Sequence, residues 1–176
     1  MDLTGFEPPF SYQTVYYFFN KWSKAGVFER AFLQIQKEQK ANLSLNLLHL
    51  DGTHTLAKKG GEEIAYQGRK RARTSNLLVL VDDKGLPLAF GDILAGNHND
   101  FFEVVPQFSK MCKALKTNEI NLEKATLNMD KGFDSQGLRR AVQRRGIRPN
   151  VKENKRNRKK KKKKRKSKRL KSNHVA

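Results

Sequence analysis

Two aspartates in similar local settings, Asp51 and Asp130, are the side chains of this sequence best suited to do chemistry. Each follows an apolar segment and precedes a nearby glycine, in LLHLDGT and in TLNMDKGF. Such apolar segments predict buried strands, so each carboxylate is expected just past a strand end, rigidly held and open to water. Two carboxylates brought close together repel one another unless a divalent cation neutralises them. Hard oxygen ligands of this kind favour Mg2+ or Mn2+.

If the two strands are neighbours, Asp51 and Asp130 are predicted catalytic and metal-binding residues. Metal ions held in this way support in-line phosphoryl transfer, because they activate the attacking oxygen and stabilise the leaving oxygen. A third acid normally completes such a site, but only Asp134 and Glu153 follow Asp130. Asp134 is expected to cap a helix, and Glu153 lies in a basic stretch with no helix to hold it. The alternative is that Asp51 and Asp130 are ordinary turn residues, since Asp-Gly and Asp-Lys-Gly are favourable turn sequences.

Five strands and two helices are predicted around these acids. The strands are expected over 43–50, 75–81, 86–94, 125–129 and 147–151, with a polar loop over 53–73. One helix is expected to be capped by Asn99 or Asp100, with Glu103 completing a capping box on Asp100, and the other to span 135–145. Three antiparallel strands followed by alternating helix and strand predict a mixed α/β fold with a ribonuclease-H-like core. In that topology the first and fourth strands are neighbours, so Asp51 would lie beside Asp130.

The first part of the chain is predicted to be helical, with Gly26 separating two short helices. This pair is either the remnant of a helix-turn-helix or an arm that packs on the next domain. The predicted domains are an N-terminal helical segment (1–41), a catalytic core that lacks its C-terminal part (42–151) and a disordered basic tail (152–176). The helical spacing of the first helix is given by Val15, Phe18, Phe19 and Trp22, and the residues expected to face inward from the second are Phe28, Phe32 and Ile35.

The charge of the chain indicates a polyanionic partner. Lysine and arginine number 37 against 17 aspartates and glutamates, for a formal net charge of +20. Nucleic acid is the commonest polyanion for such a protein. The single cysteine, Cys112, excludes an internal disulfide and a cysteine-based zinc site. No apolar run approaches the ~20 residues of a membrane span, and the N-terminus lacks a signal-peptide pattern. We therefore expect a cytoplasmic protein with no membrane partner.

Several basic residues are predicted to contact a nucleic-acid backbone. A solvated surface is the alternative explanation for each of them. His49, Asp51 and His54 could also form a metal site, although His54 and His98 are expected instead to shape the rim of the active site. The predicted contact residues are Arg69, Lys70, Arg71 and Arg73 in the polar loop, Lys131 beside Asp130, and Arg139 and Arg140 on the last predicted helix.

Several linked motifs resemble transposases of the insertion-sequence four/five group. They are LHLDGTH (48–54), GRKRARTSNLLVLVDDKGLPLAF (68–90), AGNHND (95–100) and NMDKGFDS (128–135), preceded by TVYYFFNKWSKAGVFER (14–30). The resemblance covers residues 11–158. It implies a DDE-type core in which Asp51 and Asp130 are the first two acids. The implied activity is DNA transposition, in which a phosphodiester is hydrolysed at the element's end and the freed 3′-hydroxyl attacks target DNA.

The resemblance also implies Mg2+ or Mn2+ as cofactor and double-stranded DNA as partner, and a homodimer is a further expectation. The family's third acid is a glutamate on a helix after the fifth strand, and no such segment is evident in this sequence. We therefore expect a copy truncated at both ends, with little activity alone. Six consecutive lysines, 159–164, suggest a slippage-prone purine run, so that residues 167–176 would be out of frame. The alternatives are a non-catalytic DNA-binding product of the same element and a basic RNA-binding protein.

Overall fold

The computed structural model describes residues 9–58 and 61–154, so most of the predicted basic tail, from residue 155 onwards, lies outside the described residues. The chain divides into two compact units, one up to Asn42 and one from Leu43. The first contains α1 (Tyr12–Lys24), α2 (Val27–Glu38) and a 3-10 turn (Lys40–Asn42). The second contains β1 (Leu47–Leu56), β2 (Ala65–Gln67), β3 (Ala72–Asp82), β4 (Pro87–Ala95), α3 (Val104–Thr117), β5 (Thr126–Met129), α4 (Gln136–Gln143) and β6 (Arg148–Val151).

The two predicted N-terminal helices are present, but the inward orientation expected in the second is wrong for Phe28 and Ile35. Ser11 caps α1, where its hydroxyl accepts a hydrogen bond from the Thr14 N–H at 3.3 Å, and Gly26 has the left-handed φ of 64° before α2. Two short helices enclose too little volume to bury many aromatic side chains. The residues of the two apolar patterns that are exposed are Val15, Phe18, Phe19, Trp22, Phe28 and Ile35.

The second unit is built on one six-stranded mixed sheet. β1 lies at its centre, antiparallel to β3 on one side and parallel to β5 on the other, and β6 continues parallel to β5. Both β4 and the short β2 pair with β3, along the edge that faces away from β1. This arrangement confirms the predicted antiparallel meander, the adjacency of the first and fourth strands, and the ribonuclease-H-like mixed α/β fold.

The prediction that the first strand ends at Asp51 is wrong. β1 continues to Leu56, because β3 pairs with it residue by residue from Leu48 opposite Asp82 to Leu56 opposite Thr74. The predicted loop 53–73 is consequently strand at its start, at its end and again in β2. The sequence did not predict this part of the strand, because its polar composition lacks the apolar alternation from which strands are predicted.

A single hydrophobic core covers one face of the sheet. Buried residues of α3 and α4, including Phe108 and Leu138, join alternate strand residues such as Leu50 and Leu127 in one cluster. The opposite face is more exposed, as Phe90 and Ile93 of β4 show. Within residues 43–154 the sheet is therefore covered by helices on one side only. None of the helices in the described ranges has the length and apolar character needed to cross a bilayer.

Two predicted helix caps are wrong. α3 begins at Val104 after Glu103, which has a positive φ of 50° and provides no side-chain cap, so Asp100 and Glu103 form no capping box. α4 is capped by Ser135, whose hydroxyl accepts a hydrogen bond from the Leu138 N–H at 3.1 Å. Asp134, the expected cap, instead accepts hydrogen bonds from more distant residues.

Asp82 closes the turn between β3 and β4. Its buried carboxylate accepts backbone hydrogen bonds from Ser44 at 3.0 Å, Lys84 at 2.9 Å and Leu86 at 2.8 Å. Burial by itself raises the pKa of Asp82, but these hydrogen bonds from Ser44, Leu86 and Lys84 outweigh it and lower the pKa below the ordinary value of 3.8. The ionised carboxylate therefore stabilises the folded state above pH 3.8, and this contribution disappears as the pH falls through the lowered pKa.

Replacing Asp82 with asparagine is expected to lower the free energy of unfolding at neutral pH by about 1–3 kcal/mol, because an amide group cannot accept all three hydrogen bonds as well. Urea unfolding of the wild type and Asp82→Asn at pH 7 and about pH 2.5 measures this. The difference between the proteins should shrink at the lower pH, because the stabilisation from the ionised Asp82 is lost progressively as the pH falls below 3.8. A difference that is equal at both pH values would contradict the assigned role.

Candidate active site

Asp51 projects from the exposed face of the sheet near its centre. Its neighbours Leu48 and Leu50 point into the core, so the alternation of a strand places Asp51 and His49 on the opposite face. The Asp51 side chain is exposed, and its Oδ1 accepts the N–H of Gly52 at 2.8 Å. The carboxylate is therefore held at its base by the backbone while it remains accessible to solvent.

Asp130 is placed similarly at the end of β5, as predicted. Leu127 and Met129 point into the core, and the extended backbone of Asp130 (φ −65°, ψ 157°) continues that alternation onto the exposed face. Its Oδ1 accepts the N–H of Lys131 at 2.6 Å. The 3-10 turn Lys131–Phe133 follows, anchored by the buried Phe133 ring.

The parallel ladder between β1 and β5 brings the two aspartates together. Leu50 and Met129 are direct partners across it, and each is followed by its aspartate. Neighbouring strands are about 4.8 Å apart, so Asp51 and Asp130 leave the same face of the sheet from adjacent positions. This spacing allows both carboxylates to reach one cation.

The two carboxylates are suitable ligands for a hard divalent cation, but they form only part of a metal site. Among residues 9–58 and 61–154, no lysine or arginine side chain forms an ion pair with either carboxylate. Two acidic oxygens in water are ligands that Mg2+ and Mn2+ accept. However, the described ranges contain no cluster of three or more His, Cys, Asp or Glu side chains that could hold a metal. Two carboxylates are therefore present and a third is not provided by the described residues.

Polar side chains surround the pair on the exposed face. Asn150 of β6 donates through Nδ2 to Asn128 Oδ1 of β5 at 2.7 Å. The register of β1 with β5 sets Asn128 beside His49. The structure does not assemble the alternative metal site of His49, Asp51 and His54, because the His54 side chain points to the opposite face from Asp51. The asparagine pair was not singled out from the sequence, since its proximity depends on the β5–β6 register.

The basic residues predicted to contact nucleic acid divide into exposed and internally bonded groups. Four lie around the β2–β3 turn, where they are exposed, although Lys70 Nζ also donates to the His54 carbonyl at 2.9 Å. Lys131 is exposed directly after Asp130. The exposed side chains of the β2–β3 turn region are Arg69, Lys70, Arg71 and Arg73.

Arg139 and Arg140 differ although they are adjacent on α4. Arg139 is half-buried; its Nε donates to Asp134 Oδ1 at 2.8 Å and its Nη2 to the Val151 carbonyl at 2.8 Å. Asp134 Oδ2 in turn accepts the N–H of Asn154 at 2.7 Å. Arg139 thus links α4 and the turn after Asp130 to the end of β6, whereas the Arg140 side chain is exposed. DNA contact by either residue stays a prediction.

The ribonuclease-H-like sheet carries two exposed carboxylates, Asp51 within its central strand β1 and Asp130 directly after the neighbouring strand β5. The chain belongs to the family of transposase DDE domains, whose profile matches residues 43–175. A comparison with curated proteins gave no significant match.

Similar solved structures include "Mos1 transposase paired-end complex with left transposon end", with 10% identity and a TM-score of 0.44 over 68% of this chain and 38% of that one. "Crystal structure of the Mos1 mariner paired end complex with Mn" has 11% identity and a TM-score of 0.42 over 66% and 39%. The simian T-cell lymphotropic virus intasome in complex with PP2A regulatory subunit B56 gamma has 18% identity and a TM-score of 0.38 over 62% and 35%. The chain thus spans well under half the length of these proteins.

Arg139→Ala and Arg140→Ala form a matched pair of neighbouring arginines. We expect Arg139→Ala to lower the free energy of unfolding by about 1–2 kcal/mol, because it leaves the Asp134 carboxylate and the Val151 carbonyl without this donor. Arg140→Ala should change it by less than about 0.5 kcal/mol, as is usual for exposed side chains. Urea unfolding of both variants measures the difference. Equal stabilities would contradict the structural role of Arg139.

Proposed function

We propose that this chain carries part of the active site of a DDE-type transposase, with Asp51 and Asp130 as two of its three metal-binding carboxylates. The observation that carries the proposal is the pairing of Leu50 with Met129, which sets the following aspartates side by side on the exposed face. The transposase DDE domain family supplies the reaction class. If Asp51 and Asp130 were only turn residues, nothing would require them to lie close together or on the same exposed face of the sheet.

The proposed reaction has two steps, hydrolysis of a phosphodiester at an insertion-sequence end and attack of the freed 3′-hydroxyl on target DNA. Mg2+ or Mn2+ bound by the carboxylates supplies activation of the attacking oxygen and stabilisation of the leaving oxygen. Each carboxylate is held in place by a hydrogen bond that it accepts from the backbone N–H of the following residue, Gly52 for Asp51 and Lys131 for Asp130. The motif resemblance to the insertion-sequence four/five group supports the assignment of the DNA substrate.

The exposed basic residues are proposed to bind the DNA backbone. Lys131 directly follows Asp130, and Arg69, Arg71 and Arg73 extend from the β2–β3 turn region without an ion pair to any residue in 9–58 or 61–154. Contacts from such side chains to phosphate position the DNA without reading its sequence. They would also make binding fall steeply with salt, because neutralised phosphates release counterions.

Metal binding tests the aspartate pair directly. Fe2+ in place of Mg2+, with ascorbate and peroxide, should cut the polypeptide near residues 51 and 130, and Mn2+ binding followed by electron paramagnetic resonance gives the affinity. Asp51→Asn and Asp130→Asn should each weaken Mn2+ binding by about 10-fold or more and abolish these cuts. Asp83→Asn removes an exposed carboxylate at the end of β3 and serves as the matched control. Binding that is unchanged in both site variants would overturn the proposal.

The absence of a third carboxylate among the described residues favours a second function, DNA binding without cleavage. On double-stranded DNA carrying the terminal repeats that flank the gene, with Mg2+ or Mn2+, we expect no more cleavage from this chain than from the Asp51→Asn/Asp130→Asn double variant. The same DNA should still be retained in gel-shift assays. Cleavage that depends on both aspartates would show that the catalytic set is complete in this chain.

A further inference from the structure

The side chain of Asp100 packs against the strand that carries Asp51. Asp100 lies between β4 and α3, and its side chain occupies the space where a Cβ of Gly52 would be. A methyl group added to Gly52 would overlap the Asp100 carboxylate and lie 2.7 Å from the Asp100 Cβ. The residue after Asp51 must therefore be glycine for Asp100 to remain in place.

One oxygen of Asp100 also connects β1 with β3. Asp100 Oδ1 accepts a hydrogen bond from Asn76 Nδ2 at 3.0 Å and lies 3.4 Å from His54 Nε2. The His54 side chain is 4% exposed and that of Asp100 is 35% exposed, while Asn76 is buried. Hydrogen bonds to a carboxylate are stronger than those between neutral groups. Asp100 is thus held between the two strands on the side opposite Asp51.

Further polar contacts fix the His54 ring on β1. Its Nδ1 lies 3.4 Å from Thr74 Oγ1, and its Nε2 lies 3.0 Å from Gln67 Nε2 of β2. The buried His54 therefore joins β1, β2 and β3 to Asp100. The sequence predicted Asp100 as a helix cap and His54 as a rim residue, and neither prediction indicated this network.

We infer that Asp100 is a positioning residue for the Asp51–Asp130 site, acting through Gly52 and His54. Gly52 and Asp51 face opposite sides of the sheet, so Asp100 is not a third ligand. It restrains the backbone from which Asp51 projects, and this determines where the Asp51 carboxylate meets that of Asp130. The inference rests on the proposed function, because positioning matters only if the two carboxylates share a cation.

The test measures Mn2+ affinity of the full chain by electron paramagnetic resonance. We expect Asp100→Ala to weaken binding by about 10-fold, as is typical when a partner that orients a ligand is lost. Asp100→Asn keeps an oxygen for Asn76 and nearly the same shape, so it should restore most of the affinity. Ile120→Val, a buried substitution after α3, lowers stability without touching this network and should leave the affinity unchanged. Wild-type affinity in Asp100→Ala would overturn the inference.

Amide hydrogen exchange without metal provides an independent readout. Asp100→Ala should accelerate exchange in the second half of β1, from Gly52 to Leu56, relative to β5, whereas Ile120→Val should not show this local pattern. If Asp51→Asn leaves Mn2+ binding unchanged, the proposed function fails, and exchange still decides whether Asp100 restrains β1. If Asp51→Asn abolishes binding but Asp100→Ala changes neither affinity nor exchange, only the positioning role fails.

Discussion

The parallel pairing of β1 with β5 is the constraint on which the rest of the candidate site depends. Four consecutive residue partners, from Leu47 with Thr126 to Leu50 with Met129, place two distant parts of the chain in register. A shift of one residue would turn one aspartate towards the core, because side chains alternate between the faces of a sheet. The buried Leu48, Leu50 and Leu127 oppose such a shift, since it would expose them to water. The same apolar side chains that form the core therefore align the acids.

The one-sided coverage of the sheet explains why two carboxylates can lie so close together. The core and both helices of the second unit occupy the face opposite Asp51 and Asp130. Exposed carboxylates are hydrated, and their mutual repulsion is weak in water compared with the protein interior. The pair is thus compatible with a stable fold before any cation is bound. The hydrated face is also the one from which the proposed cation and DNA strand would approach.

The length of β1 determines how rigidly Asp51 is held, in addition to where it lies. Asp51 lies within a strand that continues for five more residues to Leu56, paired throughout with β3. Pairing with β3 therefore holds the backbone both before and after Asp51. Asp100 and His54 add polar contacts to this outer half of the ladder. Asp130, by contrast, follows the last residue of its strand and depends on the turn anchored by Phe133 and on the Asp134–Arg139 ion pair beyond it.

Local patterns in the sequence determined the order of the main strands and helices, the adjacency of the first and fourth strands, and the two aspartates as a candidate pair. These features depend on hydrophobic periodicity and on connection rules, which act over short stretches of chain. Only the tertiary structure decided that β1 extends past Asp51, that Asp100 packs on Gly52 instead of capping α3, and that Arg139 bonds internally while Arg140 is exposed. It also showed that the aromatic residues of α1 are not buried. Each of these outcomes depends on which distant residues meet across a sheet or between elements, and the local sequence carries little information about such contacts.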